Sequence, residues 1–473
     1  MKDYHHSRRN FLKTLTLGAT AGAMLSSTGI SIASAARKRK VKPNIILILT
    51  DDQGWTDTSL QMIAGRPDSK SDFYQTPNLE RLAREGMRFS NAYSPGPLCS
   101  PTRHSIQFGK TPARLHTTTH AGLMPMNEDE IALPQMIKAT NPNYVTAHFG
   151  KWHIKRSPED MGYDKSDGST GNGNGNFDKV KGKRVPLPDD DPKRIFSTAR
   201  KANDFMAEQV KKGQPFFMQV SHYAVHVAHA ALESTMGKYQ NLVSGDDPDL
   251  VLYAAMTEDL DTGLGLLLDK VDELGIADNT YIIYISDNGG GFRGNKSLAK
   301  GKGSLHEGGI RVPMVVRGPG IKPGSFCDVP VAGWDFFPTI SELIGNENPL
   351  PEGIDGGSLL PLFENAGKGK VKRPYDYLVF HFPEWTSSYS AIRKGDYKLI
   401  KCWDDIDLLL FNLAKDIGES KNLAYLMPEK AEELHKDLMN YLKTVDAEDP
   451  LRGREFKRLQ KLEEAKKGQT LKK

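Results

Sequence analysis

The fold is decided by residues 44–50, whose sequence is NIILILT and which lead directly into Asp51 and Asp52. A continuous apolar run of this kind is typical of a strand buried on both faces of a mostly parallel sheet. Taken alone, a pair of aspartates is as typical of a turn or a helix cap as of a site. At the carboxyl end of such a strand, however, it indicates a functional site, because ligands of α/β sheets bind there.

Strand-like and helix-like patterns alternate along the chain beyond this run. A helix is predicted after Thr76, with Pro77 at its first position and Gly86 at its end. Further strands are predicted at 144–149, 215–220 and 281–285, and helices at 133–139, 195–211 and 250–274. This alternation predicts an α/β fold with a large mixed, mostly parallel sheet sandwiched by helices.

The composition changes at residues 349–372, where Pro, Gly and Lys interrupt the pattern. We therefore divide the chain into a catalytic domain at 37–365 and a smaller C-terminal subdomain at 366–450. In the subdomain, short strands are predicted at 391–393, 397–400 and 408–411, and we expect them to form an antiparallel sheet packed against a helix at 430–442. Residues 451–473 are dense in Lys, Arg and Glu, which predicts a solvated, charged tail.

The overall composition excludes several classes of protein. The 473 residues carry 63 Lys+Arg against 59 Asp+Glu, and a net charge of +4 is too small for a strongly basic nucleic-acid binder. A hydrophobic fraction of 38% with charges of both signs is ordinary for a soluble globular protein. Three cysteines leave at least one unpaired, so a disulfide-stapled scaffold is also excluded.

The first 36 residues have the features of a targeting segment. Arg8 and Arg9 precede a mildly apolar stretch at 15–32, and residues 33–35 read ASA, a small-residue cleavage site. The segment resembles a twin-arginine export signal. A membrane anchor is the alternative, but the stretch is rich in Gly, Ser, Thr and Ala and is weakly apolar. We expect export in the folded state by the twin-arginine machinery to the periplasm or beyond, without stable membrane insertion.

A Gly/Asn-rich stretch at residues 166–176 cannot bury a core and is predicted to be a loop. Its Asp, Gly and Asn residues hint at calcium, but no glutamate stands at the spacing of an EF-hand. We interpret the stretch as a flexible linker.

Three further segments supply unusual polar clusters. Cys99 is followed by Pro101 and Arg103, and the proline predicts a helix beginning there, with Arg103 one turn on and on the side of Cys99. Residues 150–153 read GKWH at a strand end, where alternation predicts Lys151 and His153 on one face. Residues 286–290 read SDNGG, and Lys302 follows in the run GKGSLHEGGIRVP at 301–313.

Together these segments resemble the type I, formylglycine-dependent sulfatases of the alkaline-phosphatase-like superfamily. The resemblance rests on Cys-x-Pro-x-Arg at 99–103 and on the other motifs in family order, and AIRKGDYKLI at 391–400 is similar to the family's second domain. After Cys99 the family often shows Leu-Thr-Gly-Arg where residues 107–110 read QFGK, so lysine replaces the last arginine. The implied fold is alkaline-phosphatase-like.

The resemblance also implies a mechanism. A formylglycine-generating enzyme would oxidise Cys99, and the resulting aldehyde hydrate would attack the sulfur of a sulfate ester. One calcium ion would be held by oxygen atoms of Asp51, Asp52, Asp287 and Asn288, together with position 99. Three cations would stabilise the sulfuryl oxygens, namely Arg103, Lys151 and Lys302.

Two histidines complete this implied mechanism. His226 would protonate the leaving alcohol, and His153 would deprotonate the second hydroxyl to expel sulfate. The family usually shows Pro-His-x-Pro where residues 224–227 read AVHV, so His222 is the alternative donor. Cys327 and Cys402 lack the Pro and Arg context and are interpreted as inert. The remaining candidates are interpreted as satisfied surface histidines rather than substrate contacts: His104, His116, His120, His229 and His306.

We therefore expect a periplasmic or secreted sulfuric ester hydrolase that acts on a sulfated polysaccharide or oligosaccharide. A phosphodiesterase or phosphonate monoester hydrolase of the same superfamily is one alternative, since a phosphoryl group fits a site for tetrahedral anions. A non-catalytic protein that binds sulfated glycans, with Cys99 unmodified, is the other.

Overall fold

A computed structural model describes residues 42–119, 129–175, 177–180, 183–186, 188–242, 247–292, 297–383, 388–404 and 407–450. The predicted export signal at 1–36, the charged tail at 451–473 and His120 lie outside these residues. Within them, no helix combines the length and the apolar character that are needed to cross a membrane.

The main sheet has eight strands in the order β11-β2-β10-β9-β1-β8-β4-β5. The strands of the described residues are β1 Asn44–Thr50, β2 Met87–Phe89, β3 Ala92–Tyr93, β4 Val145–Gly150, β5 Lys165–Ser166, β6 Phe177–Val180, β7 Lys183–Pro186, β8 Phe216–Ser221, β9 Thr280–Ser286, β10 Met314–Arg317, β11 Ser325–Cys327, β12 Val331–Ala332, β13 Leu378–Phe382, β14 Tyr389–Lys394, β15 Tyr397–Cys402 and β16 Leu408–Asn412.

Strand β1 is central and runs parallel to both β8 and β9, and β8 is parallel to β4. Strand β10 joins β9 antiparallel, so the sheet is mixed. Both faces of β1 are buried: Ile45 and Leu47 belong to one hydrophobic layer, and Ile46 and Ile48 belong to the opposite one. The prediction of a mostly parallel sheet covered on both sides is confirmed.

Helices form both covering layers. They are α1 Pro77–Glu85, α2 Cys99–Phe108, α3 Pro112–Leu115, α4 Leu133–Thr140, α5 Ile195–Lys212, α6 Glu233–Gln240, α7 Pro248–Glu273, α8 Glu307–Ile310, α9 Phe336–Leu343, α10 Leu360–Glu364 and α11 Pro428–Thr444. The apolar faces of α1, α5 and α7 share a layer with Ile46, while those of α2, α4 and α9 share the layer of Ile45.

The C-terminal part contains a four-stranded antiparallel sheet in the order β13-β14-β15-β16. The predicted antiparallel sheet is confirmed, but only β14, β15 and β16 were predicted, and β13 is additional. One face of this sheet packs on α11 through Ile392 and Leu438, and the other packs on residues of the main part through Phe380 and Trp334. A buried ion pair also joins the two parts, because Lys398 Nζ lies 2.8 Å from Glu307 Oε1. The domain boundary at residue 365 stays a prediction.

Candidate active site

The carboxyl ends of four parallel strands carry the predicted site residues to one edge of the sheet. Asp51 and Asp52 follow β1, Lys151 follows β4, His226 follows β8, and Asp287 follows β9. Because β4, β8, β1 and β9 are neighbours in this order, residues far apart in sequence converge. This is where ligands of open α/β sheets bind.

Cys99 is the first residue of helix α2, as the following proline predicts, and its side chain is fully buried. Its Sγ atom and one oxygen each of Asp51 and Asp287 lie within 4.8 Å of one another. The Nδ1 atom of His153 lies 3.3 Å from Sγ. Burial raises the pKa of the Cys99 thiol to about 11, so an unmodified cysteine in this arrangement is protonated at neutral pH.

Three buried or half-buried cations each pair with one carboxylate of the site. Arg103 donates to Asp287 Oδ2 from Nε at 3.0 Å and from Nη2 at 2.7 Å. Lys151 Nζ lies 2.6 Å from Asp51 Oδ2.

Lys302 Nζ contacts both oxygens of Asp52, at 2.6 and 2.7 Å. Unlike the other two cations, its side chain is 21% exposed, so this lysine faces the opening of the site.

Two buried oxygen atoms of the site have no hydrogen-bond partner among the described residues, namely Asp51 Oδ1 and Asn288 Oδ1. Asn288 Nδ2 donates to Asp52 Oδ1 at 2.8 Å, which fixes the amide with its oxygen unpaired. Buried polar atoms are rarely left unsatisfied in folded proteins. Unpaired carboxylate and amide oxygens are ligands that a hard cation such as Ca²⁺ prefers, so the donor set fits a calcium ion.

The carboxylates of the site titrate differently. Burial, and after it the neighbouring Asp51, raise the pKa of Asp287 to about 6 against the opposing effect of Arg103. Burial would also raise the pKa of Asp51, but Lys151 and then His226 and Arg103 hold it below its usual range. A cation between the two carboxylates would favour the ionised form of both.

The two candidate proton donors after β8 lie in different environments. His226 is near the site, with Nε2 3.9 Å from Asp52 Oδ2 and its side chain 13% exposed. His222 is fully buried, and neither ring nitrogen has a hydrogen-bond partner among the described residues. Its ring packs against α7 at Gly263, where an added Cβ would lie 3.6 Å from Cε1. The geometry therefore favours His226.

Lys151 and His153 both reach the site, but not through strand alternation. Strand β4 ends at Gly150, whose φ of +93° turns the chain. A side chain could not replace this glycine, because an added Cβ would lie 2.0 Å from the carbonyl oxygen of Ser221. His153 itself has a φ of +59°. The two side chains are therefore aimed by an irregular turn.

Sequence reasoning missed two features of the site. Lys193 is buried just before α5, and its Nζ donates to the carbonyl oxygen of His226 at 2.8 Å. A cavity of about 160 Å³ also opens beside Asp52 and Lys302, and it is lined by Val225, Val227, His229, Tyr253, Gly291 and Phe292. No local sequence signal marks Lys193 or Tyr253, because their roles depend on contacts between distant segments.

The prediction that the remaining histidines lie at the surface is wrong for two of them. His104 and His306 are buried rather than at the surface, and each is hydrogen-bonded through Nδ1, to Ser100 O and to Ser304 Oγ. His116 contacts Val445 O through Nε2. His229 lines the cavity.

Lys110, Cys327 and Cys402 stand outside the family motifs, and all three are buried or half-buried. Lys110, which stands in place of the family's arginine, pairs with Glu130 at 2.6 Å. Cys327 is buried in the core and Cys402 is half-buried, and both are free thiols.

Sequence comparison identifies the family. The sulfatase family profile matches residues 43–346, and the profile for the C-terminal region of N-sulphoglucosamine sulphohydrolase matches residues 300–448. A sulfatase of Formosa agariphila is 29% identical, covering 88% of this chain and 89% of its own. Arylsulfatase A of Homo sapiens is 28% identical, with coverages of 86% and 87%.

Solved structures agree. Ps i-CgsB superposes with a TM-score of 0.74 at 26% identity over 86% of this chain and 94% of its own. Its complex with k-i-k-neocarrahexaose superposes with a TM-score of 0.72 at 25% identity and the same coverages. The phosphonate monoester hydrolase of Agrobacterium radiobacter, 19% identical over 85% of this chain and 96% of its own, shares the fold with a TM-score of 0.64. Because the family profile covers more than half of the residues, this chain belongs to the sulfatase family and is a sulfuric ester hydrolase.

Proposed function

We propose that this enzyme hydrolyses sulfate esters of carbohydrates through a formylglycine at position 99 and one calcium ion. The observation that carries the proposal is the placement of Cys99, whose Sγ lies near one oxygen each of Asp51 and Asp287 and 3.3 Å from His153. A formylglycine would supply a nucleophilic oxygen where a protonated thiol is inert. Calcium, when bound, would supply positive charge that favours the ionised nucleophile and polarises the sulfate.

The metal ligands in this proposal are Asp51, Asp52, Asp287 and Asn288 together with position 99. Arg103, Lys151 and Lys302 lie around the same position, each within hydrogen-bond distance of one of these carboxylates. We expect them to bind the sulfate oxygens and to stabilise the charge that develops on them. His153 is within reach of a proton on the nucleophile at position 99.

His226 is proposed to protonate the leaving alcohol. Its side chain lies at the partly exposed side of the site, close to Asp52. Burial lowers the pKa of His226, although Asp51 and Asp52 oppose this effect. A general acid works best when its pKa lies near the working pH, because a good fraction is then protonated and the proton is still given up readily.

The cavity beside Lys302 supports a sugar as the alcohol part of the ester. Its wall includes Tyr253 and Phe292, whose rings stack with centroids 4.6 Å apart, and His229 meets both rings edge-on. A binding site that combines aromatic surface with a few polar groups suits a small organic ligand. The neocarrahexaose bound by the related Ps i-CgsB adds support for a carbohydrate.

A panel of esters tests the reaction class. Purified enzyme would be assayed for sulfate release from sulfated galactans, fucans, ulvan, glycosaminoglycan fragments and aryl sulfates, with aryl phosphate diesters and phosphonate monoesters alongside. The proposal expects sulfate release from at least one sulfated sugar and much slower cleavage of the phosphorus esters. Faster cleavage of the phosphorus esters would contradict the proposal and favour a phosphodiesterase or phosphonate monoester hydrolase instead.

Export is the last part of the proposal. The twin-arginine motif at Arg8 and Arg9 supports passage of the folded enzyme to the periplasm, after a formylglycine-generating enzyme has acted in the cytoplasm. Replacing both arginines by lysine should retain the protein in the cytoplasm. An unchanged distribution of the protein between cell fractions would contradict the proposed export route without affecting the proposed reaction.

A further inference from the structure

The Gly/Asn-rich stretch contacts the site instead of linking two distant parts. We call residues 167–175 the strap. Asp167 Oδ2 accepts a hydrogen bond from the backbone N–H of Gly150 at 2.9 Å. Thr170 accepts from the N–H of Trp152 through Oγ1 and from the N–H of His153 through its carbonyl oxygen, both at 2.9 Å. The strap thus fixes the irregular turn that aims His153.

The other end of the strap meets the segment that carries His226. Gly175 is buried against Tyr223, and an added Cβ there would lie 2.2 Å from Tyr223 Cβ. Arg194 Nε donates to the carbonyl oxygen of Asn174 at 2.5 Å. A side chain at residue 175 would have to displace Tyr223, so this glycine sets how closely the strap approaches the segment.

Lys193, next to Arg194, holds the His226 segment directly. Its Nζ donates to the carbonyl oxygens of His226 at 2.8 Å and Ala228 at 3.3 Å. Lys193 and Arg194 both have positive φ, 57° and 53°. This conformation is uncommon for residues other than glycine and persists only where surrounding contacts impose it. Lys193 reaches the His226 segment, and Arg194 reaches the strap.

We propose that the strap, Lys193 and Arg194 form one positioning device that fixes the backbones of His153 and His226 relative to each other. None of these residues need touch the substrate. Their effect rests on the proposed function, in which the two histidines move protons at successive steps. Small displacements of such groups are costly, since a misplacement of about 1 Å can slow a reaction about 100-fold.

The device predicts two different kinetic signatures. Lys193→Met removes the donor to the His226 segment, so turnover should fall by about 10- to 100-fold for poorly acidic phenol leaving groups and far less for nitrophenol. Thr170→Val removes the hydroxyl that accepts a hydrogen bond from the N–H of Trp152, which loosens the turn that aims His153. Turnover should therefore fall for every leaving group alike. In that variant, radiolabelled sulfate should also stay with the protein.

Aryl sulfates with phenols of graded acidity provide the assay, and kcat and KM are measured separately. Lys212→Met is the matched control, because Lys212 is exposed and pairs with Glu208 one helical turn away. Thr170→Ser keeps the hydroxyl and should recover most of the turnover. If Lys193→Met does not fold, as judged by thermal unfolding, Gly175→Ala displaces the same segment with Lys193 intact.

The outcomes separate this inference from the proposed function. A wild-type enzyme that releases no sulfate from any ester would contradict the proposed function. An active wild-type enzyme, with Lys193→Met or Gly175→Ala losing turnover equally for all phenols, or not at all, would overturn the positioning of His226. Thr170→Val with wild-type turnover would overturn the positioning of His153.

Discussion

The Nδ1 atom of His153 lies 3.3 Å from the Sγ atom of Cys99, although 54 residues separate them along the chain. Cys99 stands at the start of a helix, and His153 stands in a turn beyond a strand, so the contact depends on how the helix packs at the sheet edge. It places an imidazole beside the atom proposed to become the nucleophile.

His153→Ala should slow turnover by about 100- to 10,000-fold, because a group that moves a proton at position 99 is lost. The loss should be similar for aryl sulfates with acidic and with poorly acidic leaving groups, because His153 acts after the ester bond has broken. Stopped assays with radiolabelled sulfate measure the label that stays with the protein. A variant that releases all label and turns over normally would refute this role.

His226→Ala should show the opposite pattern. Esters of poorly acidic sugar alcohols should lose about 100- to 10,000-fold in kcat, whereas nitrophenyl sulfate, whose leaving oxygen needs little help, should lose much less. His222→Ala is the comparison, because His222 is buried away from the opening. If His222→Ala shows the leaving-group dependence and His226→Ala does not, the assignments must be exchanged.

Replacing Asp52 or Asp287 by alanine should abolish calcium binding, measured by titration calorimetry, and nearly all turnover. The two variants should differ in stability. Asp287 pairs with the fully buried Arg103, so its loss leaves an unpaired buried charge and costs about 3–5 kcal/mol, whereas Lys302 can turn to solvent when Asp52 is lost. Asp269→Ala is an exposed control. Calcium binding retained in both variants would remove the metal site.

Acidification should destabilise the enzyme through His222. Burial lowers the pKa of His222 to about 4, so the unfolded chain, with an ordinary pKa near 6.5, binds a proton more readily. The contribution of neutral His222 to the free energy of unfolding is fully present above pH 6.5 and is lost as the pH falls towards 4.

From pH 7 to pH 5 this single group should lower the free energy of unfolding by about 2 kcal/mol. Urea unfolding of wild type and His222→Phe at both pH values measures the difference, with the half-buried His116→Phe as control. The decrease should be smaller in His222→Phe alone. An equal decrease in all three proteins would show that His222 does not titrate as stated.

Much of the fold could be predicted from local sequence patterns. The strand at 44–50 matches the observed Asn44–Thr50, and the helix predicted at 195–211 is observed as Ile195–Lys212. Both follow from periodicity within the segment, which needs no knowledge of distant contacts. The helix start at Cys99 was equally local, because it rested on a nearby proline.

The arrangement of the site was only partly accessible from sequence. Motif order indicated which residues gather, but not that Arg103 would pair with Asp287 or Lys151 with Asp51. The composition of residues 166–176, which include the strap, excludes a core and therefore predicts a flexible linker. The hydrogen bonds of the strap use backbone atoms of Gly150 and Trp152, which composition cannot reveal.

The mass of the peptide that contains residue 99, taken from enzyme that is actively releasing sulfate, tests the central claim most directly. Conversion of cysteine to formylglycine removes one sulfur and two hydrogen atoms and adds one oxygen. We expect this mass change in the active fraction, and we expect Cys99→Ala to fold normally and to release no sulfate. An unmodified cysteine in fully active enzyme, or sulfate release by Cys99→Ala, would contradict the account.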